Sequence, residues 1–160
     1  MLRLSKKTDY ALIALKDLAS SASGTSCSAR EIAARYDIPV ELMAKVLQRL
    51  ARRGLLESHQ GTRGGYQLSR PANRISVADV IQAIDGPVLV TACSDEDESC
   101  DQYSKCNVRD PLWRLKDRIV QSLASFTLQE LAEDDAQSTF SVTIVPGEAE
   151  PVPVAVRSAE

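Results

Sequence analysis

The sequence holds a single histidine, no C-x-x-C pair and no long apolar run. One histidine leaves few options for general acid–base work. A glycine-rich phosphate loop, a nucleophile elbow and a metalloprotease helix are also missing, so an enzyme finds little support. The opening "MLRLSKKTDYALIALKDLAS" is broken by Lys6, Lys7, Asp9, Lys16 and Asp17, which excludes the core of a signal peptide, and no later segment is apolar for long enough to span a bilayer. A cytoplasmic protein without membrane contact is expected. In that reducing setting the four cysteines read as metal ligands sooner than as a disulfide framework. No repeat recurs at a fixed period, which removes solenoids.

What is present is ordinary in amount and uneven in placement. With 160 residues, 44% of them hydrophobic, the chain can form one domain, or a small domain plus an assembly element. The net charge of -3 hides an asymmetry: residues 1–74 carry 13 Lys and Arg against 6 Asp and Glu, whereas residues 75–160 carry 6 against 16. A basic half joined to an acidic half suits a polyanion on one side, because Lys and Arg neutralising phosphates supply most nonspecific nucleic-acid affinity. Two plainly solvated surfaces would give the same count.

Periodicity adds order. Ala11, Ala14, Leu15 and Leu18 form one apolar face from about Lys6 to Ser20. Ser28 and Glu31 stand in capping-box spacing at a second helix start, and Pro39 closes the turn that follows. In "VELMAKVLQRLARRG", Met43, Val46, Leu47 and Leu50 make an inward stripe and Gly54 stands where a helix ends. Two short helices across a tight turn predict a helix-turn-helix. The next stretch, "LLESHQGTRGGYQLS", places strand-forming residues on both sides of "GTRGG", the pattern of a hairpin whose tip needs positive φ. That hairpin is a candidate wing. The outward stripe of the third helix, Glu41, Ala44, Lys45, Gln48 and Arg52, is placed to enter a major groove, and Thr62 and Arg63 at the tip to enter the neighbouring minor groove. Ser28, at the head of the second helix, completes this DNA-contacting set. The competing reading of the stripe is a solvated helix face; the combination with the hairpin and the local positive charge favours double-stranded DNA.

Further on, "ISVADVIQAIDG" predicts a short helix capped by Ser76 and ended by Gly86. Asp110 and Pro111 predict an N-cap and a first-turn proline for a long helix carrying Leu112, Leu115, Ile119, Leu123 and Phe126 at steps of three and four, a stripe that must pack on something. Thr127 and Glu130 repeat the capping-box spacing before a last short helix. From about Asp135 the chain reads as a disordered tail, although "FSVTIV" would also suit a short strand. The expected architecture is mainly α with a small β-hairpin: a winged helix-turn-helix over residues 1–86, a cysteine loop over 87–109, long helices over 110–134 and the tail over 135–160.

Within that loop, "CSDEDESCDQYSKC" puts Cys93, Cys100 and Cys106 among polar and acidic residues with no apolar run to bury them. Thiolates are soft donors suited to iron–sulfur clusters or zinc. The gaps of six and five residues differ from the close pairs of structural zinc sites and favour a larger cluster. Three metal-free exposed thiols would invite oxidation. Asp95, Glu96, Asp97 and Glu98 lie between the first two thiols; they solvate the loop and would also lower the reduction potential of a cluster. Cys27 lies far from the loop and reads as a small, partly buried residue, and His59, beside the hairpin tip, as exposed or phosphate-facing.

"LSKKTDYALIAL", the helix-turn-helix, the "RGGY" wing, the three-cysteine loop and "DPLWRLKDRI" together resemble the IscR/NsrR family of bacterial repressors over roughly residues 1–134. The opening is most similar to regulators of SUF-type iron–sulfur assembly operons. The resemblance implies a homodimer in which each subunit joins a winged helix to a long helix crossing its mate, with Leu112 to Phe126 as the crossing stripe. It further implies a [2Fe-2S] or [4Fe-4S] cluster on Cys93, Cys100 and Cys106, and sensing of cluster, redox or nitric oxide status. Two departures bear on the fourth ligand: the first gap is one residue longer than the family's usual five, and the histidine that follows the third cysteine in the IscR type is missing from "CNVRDPLW". Asp9 matches the aspartate that NsrR-type members contribute from the opposite subunit, although a carboxylate also suits a first helical turn. Asp110 is the alternative. Structural zinc on the same cysteines, and a small iron–sulfur electron carrier, are the competing functions; electron transfer has no need of a basic wing.

Overall fold

The computed structural model describes residues 3–21, 25–61, 64–89, 101–102 and 104–133. Helix α1 (Lys6–Ser20) starts at Ser5, whose hydroxyl accepts the Thr8 amide, and buries the predicted Ala11, Ala14, Leu15 and Leu18. Helix α2 (Ala29–Arg35) carries the full capping box: Ser28 Oγ accepts the Glu31 amide at 3.2 Å and Glu31 accepts the Ser28 amide at 2.7 Å. The turn into α3 (Val40–Arg52) passes through Asp37 at φ 51°, a left-handed position that aspartate tolerates better than most residues.

Met43, Val46, Leu47 and Leu50 of α3 are buried, as their spacing predicts. The helix ends in a Schellman arrangement: Gly54 at φ 73° follows Arg53, the Gly54 amide reaches Ala51 O at 3.0 Å and the Leu55 amide reaches Leu50 O at 3.0 Å. The chain then enters the hairpin β1 (Leu56–His59) and β2 (Gly65–Leu68), antiparallel with Leu56 opposite Leu68 and His59 opposite Gly65. A two-bond bridge docks the hairpin on the residue before α2. Cys27 N donates to Tyr66 O at 3.1 Å and Tyr66 N to Cys27 O at 2.8 Å. Cys27 is itself buried, a small filler at the root of the wing.

After a 3₁₀ turn (Ala72–Arg74), α4 (Val77–Ile84) starts from a Ser76–Asp79 capping box and ends before Gly86 at φ 94°. Helix α5 (Arg109–Ser125) buries none of its residues. Its far end is tied back to the start of α4, where Val77 N donates to Phe126 O at 2.9 Å and Leu128 N to Ile75 O at 2.9 Å. Helix α6 (Leu128–Glu133) follows, with the predicted Thr127–Glu130 box formed at 2.7 and 3.2 Å. One apolar core gathers α1, α2, α3, α4 and α6 around Leu15, Ile32, Leu47, Leu50, Ile75 and Leu128, all fully buried. The mainly helical architecture with one small hairpin is the expected one.

One expectation fails. Asp110 does not cap α5: Arg109 is already helical, Val108 occupies the cap position without a side-chain bond, and Asp110 sits in the first turn. Its carboxylate accepts Arg109 Nε at 2.8 Å, so the guanidinium has taken the oxygen that a cap would have offered to the backbone. The tail over 135–160, with "FSVTIV", lies outside the described residues.

Candidate nucleic-acid interface and cysteine loop

The burial of one face of α3 decides what its other face can do. With the Met43–Leu50 stripe in the core, Glu41, Lys45, Gln48 and Arg52 are exposed and Ala44 is half-buried between them, so the predicted stripe forms a continuous outer ridge. Small Ala44 lets the helix backbone come close to whatever the ridge meets. Around it Lys45, Gln48 and Arg52 supply donors that suit base edges and phosphates, and Glu41 supplies an acceptor for base edges. Ser28 is engaged at the α2 cap, its hydroxyl taken by the Glu31 amide. Thr62 and Arg63 lie outside the described residues. His59 is exposed in β1, 4.0 Å from Glu57.

A second cationic feature runs along the flank of α3, where spacing alone did not point. A groove of about 500 Å³ is walled by Lys7 of α1 and by Lys45, Arg49, Arg52 and Arg53, with Leu42 and Ile84 among its apolar lining. Arg49 and Arg53 fall between the inward and outward stripes, so a division into two faces passes over them. Lys7 arrives from another element altogether. Arg49 also donates through Nε to Ala83 O at 3.0 Å, tying α3 to the last turn of α4.

That last turn is joined to α1 as well. Asp85 accepts Ser5 Oγ at 2.6 Å, the Ser5 amide at 3.1 Å and the hydroxyl of fully buried Thr8 at 2.7 Å. Burial pushes the Asp85 carboxyl up, but the bonds from Ser5 and Thr8, with Arg49 nearby, outweigh it and hold the group below the ordinary carboxylate range.

The cysteine loop leaves the same turn. Cys93, Cys100 and the acidic run between them lie outside the described residues; Cys106 is half-buried shortly before α5. Among the described residues no group of three or more His, Cys, Asp or Glu side chains is arranged to hold a metal. Asp9 is exposed in the first turn of α1. Asp110 is occupied by Arg109, which leads in holding its carboxyl below the usual range. On α5, Leu112, Ile119 and Leu123 are half-buried, while Leu115 is 46% and Phe126 37% exposed. Trp113, 45% exposed, adds an apolar side chain outside the predicted stripe. Among the described residues no helix is long and apolar enough to cross a membrane.

The family profile described as Rrf2, iron-dependent transcriptional regulator, matches residues 4–134, a span that takes in α3, the hairpin and the cysteine loop. The chain belongs to the Rrf2 family. Among Rrf2-type relatives, the HTH-type transcriptional regulator IscR of Xenorhabdus nematophila is 36% identical over 134 residues, 83% of this chain and 80% of that protein. A putative HTH-type transcriptional regulator of Mycobacterium tuberculosis, MT1325, is 42% identical over 87 residues; the match spans about half of that relative, 54%. Of solved structures, CymR, the global cysteine regulator of B. subtilis, superposes with a TM-score of 0.68 at 28% identity, covering 83% of this chain and 98% of that one. T. potens IscR superposes with a TM-score of 0.65 at 26% identity, covering 88% and 94%. The Rrf2 chain is thus an IscR- and CymR-like transcriptional regulator with a winged-helix fold, and its relatives are named as regulators rather than enzymes.

Proposed function

We propose that this chain is a homodimeric repressor that binds operator DNA and reports iron–sulfur, redox or nitric oxide status, in keeping with control of iron–sulfur assembly genes. The observation that carries the DNA part is the division of α3 into a wholly buried stripe and an exposed ridge, Glu41, Ala44, Lys45, Gln48 and Arg52. In this reading the ridge enters a major groove, and Thr62 and Arg63 at the wing tip reach the minor groove beside it. Pairing of α5 with a second copy, through Leu112, Leu115, Ile119, Leu123 and Phe126, would cover apolar surface that one subunit leaves in water. It would also set the distance between the two ridges.

The donor set fits an iron–sulfur cluster by its chemistry: three thiolates, Cys93, Cys100 and Cys106, in a family described as iron-dependent. Asp9 of a second copy is the better fourth donor, since Asp110 is committed to Arg109. When bound, the group supplies iron that exchanges electrons and ligands. The rest falls to this chain's own residues: thiolates hold, Asp85 and Arg49 join the root of the loop to α1 and α3, and the ridge reads DNA. Structural zinc on the same cysteines is the second reading, favoured only by thiolate chemistry. Anaerobic purification with iron, sulfide and zinc analysis separates the two, since a cluster colours the protein and zinc does not. Operator titration with and without the metal then tests sensing, and equal affinities would remove it.

A further inference from the structure

We propose that the groove along the flank of α3 is a second DNA contact surface, a track for one phosphodiester strand, and that Asp85 is the positioning residue that brings Lys7 of α1 into it. This rests on the DNA-binding reading and extends it beyond the helix-turn-helix and wing to the first helix. The groove carries five cationic side chains, Lys7, Lys45, Arg49, Arg52 and Arg53, on its walls. It shares Lys45, Gln48 and Arg52 with the exposed ridge, so a duplex seated on the ridge presents to it the backbone that borders the same major groove. Such a cationic row suits phosphates, which carry no base identity, rather than base edges.

Lys7 stands there because of a latch. Asp85 ties down Ser5 and Thr8, the residues on either side of Lys6 and Lys7, through three hydrogen bonds of 2.6 to 3.1 Å. Ser5 is also the cap of α1, and Thr8 is fully buried. The first turn of α1 is therefore held at the end of α4, while Arg49 holds the same end against α3 through Ala83 O. Removing the Asp85 carboxylate frees the turn that carries Lys7 and leaves all five cationic side chains of the groove in the sequence.

The experiment measures the dependence of duplex affinity on salt in the anaerobically purified full-length protein, for operator and for unrelated duplex. Each phosphate contact contributes about 0.9 to the slope of log K against log salt. Lys7→Gln should lower the slope by about 0.9 on both duplexes alike, Asp85→Ala by the same amount, and the double variant no further than either. Circular dichroism verifies folding; if Asp85→Ala does not fold, Thr8→Val, nearly identical in shape but without the hydroxyl, takes its place. A wild-type slope for Lys7→Gln overturns the groove, and a wild-type slope for a folded latch variant, or additive losses in the double, overturns the positioning role. Wild-type protein that binds no duplex at low salt would instead remove the DNA-binding reading itself, a different failure.

Discussion

Replacing Gly65 by Ala tests how the wing is held. A Cβ placed on Gly65 would stand 2.7 Å from both Cys27 C and Cys27 O and 3.0 Å from Ser28 N. Ordinary contact starts near 3.4 Å, so β2 and the Cys27–Ser28 segment must part by about 0.7 Å, and every atom met is backbone. The neighbouring pair, Cys27 and Tyr66, exchanges hydrogen bonds of 3.1 and 2.8 Å, and Ser28 already starts α2, so neither side can retreat alone. Overpacking of this kind costs about 1–3 kcal/mol, and loss of one bridge bond adds about 1 kcal/mol. The smaller conformational freedom of the unfolded alanine chain returns about 0.4–1 kcal/mol. The net is a destabilisation of about 1–3.5 kcal/mol. Urea unfolding followed by circular dichroism should show a midpoint lowered by on the order of 1 M. Duplex affinity should fall too, since the wing loses its seat beside α2. The control is Gly61→Ala, which meets no atom within 4 Å but sits at φ 124°, so that only backbone strain of about 1 kcal/mol operates. A Gly65→Ala protein within about 0.5 kcal/mol of wild type, with unchanged DNA binding, would refute the docking argument.

Other outcomes follow from the same geometry. Ser28→Ala should cost about 1 kcal/mol of stability through the lost cap; a large selective loss of operator affinity in a protein of wild-type stability would instead restore a direct DNA role. Leu50→Ala, at a fully buried site, should cost about 2–5 kcal/mol by thermal or chemical unfolding. Leu115→Lys on α5 should give a folded monomer in analytical ultracentrifugation, and an unchanged dimer would move the assembly surface elsewhere. Asp85 is held below its ordinary value when folded, so its contribution is complete above about pH 4 and is lost as pH falls through the folded value. Asp85→Ala should flatten the acid arm of a plot of melting temperature against pH, and an acid arm identical to wild type would show the latch to be absent in solution.

Helices were legible in the sequence where apolar spacing or capping chemistry, both local signals, marked them. The faces of α1 and α3 formed where apolar spacing placed them, and the predicted boxes at Ser28 and Thr127 and cap at Ser76 formed where a hydroxyl precedes a helix start. Asp110 misled because Asp-Pro is read as a boundary from the chain alone, whereas the boundary also depends on which partner reaches the carboxylate, here Arg109. The outer ridge could be anticipated from one helix. The flank groove could not, since Lys7 and Arg53 are distant in sequence and meet only when α1 packs beside α3. Asp85 was hidden for the same reason: its partners lie about eighty residues earlier.

The attachment of α5 has a mechanical side. Its far end is stitched at Val77–Phe126 and Ile75–Leu128, whereas its near end follows directly from the cysteine segment. Seventeen residues make a rod about 25 Å long. A swing of about 10° around the stitched end displaces the cysteine-side tip by roughly 4 Å on that length, so a displacement at that tip comparable with the spacing of neighbouring rungs in a duplex turns the whole rod by only a small angle.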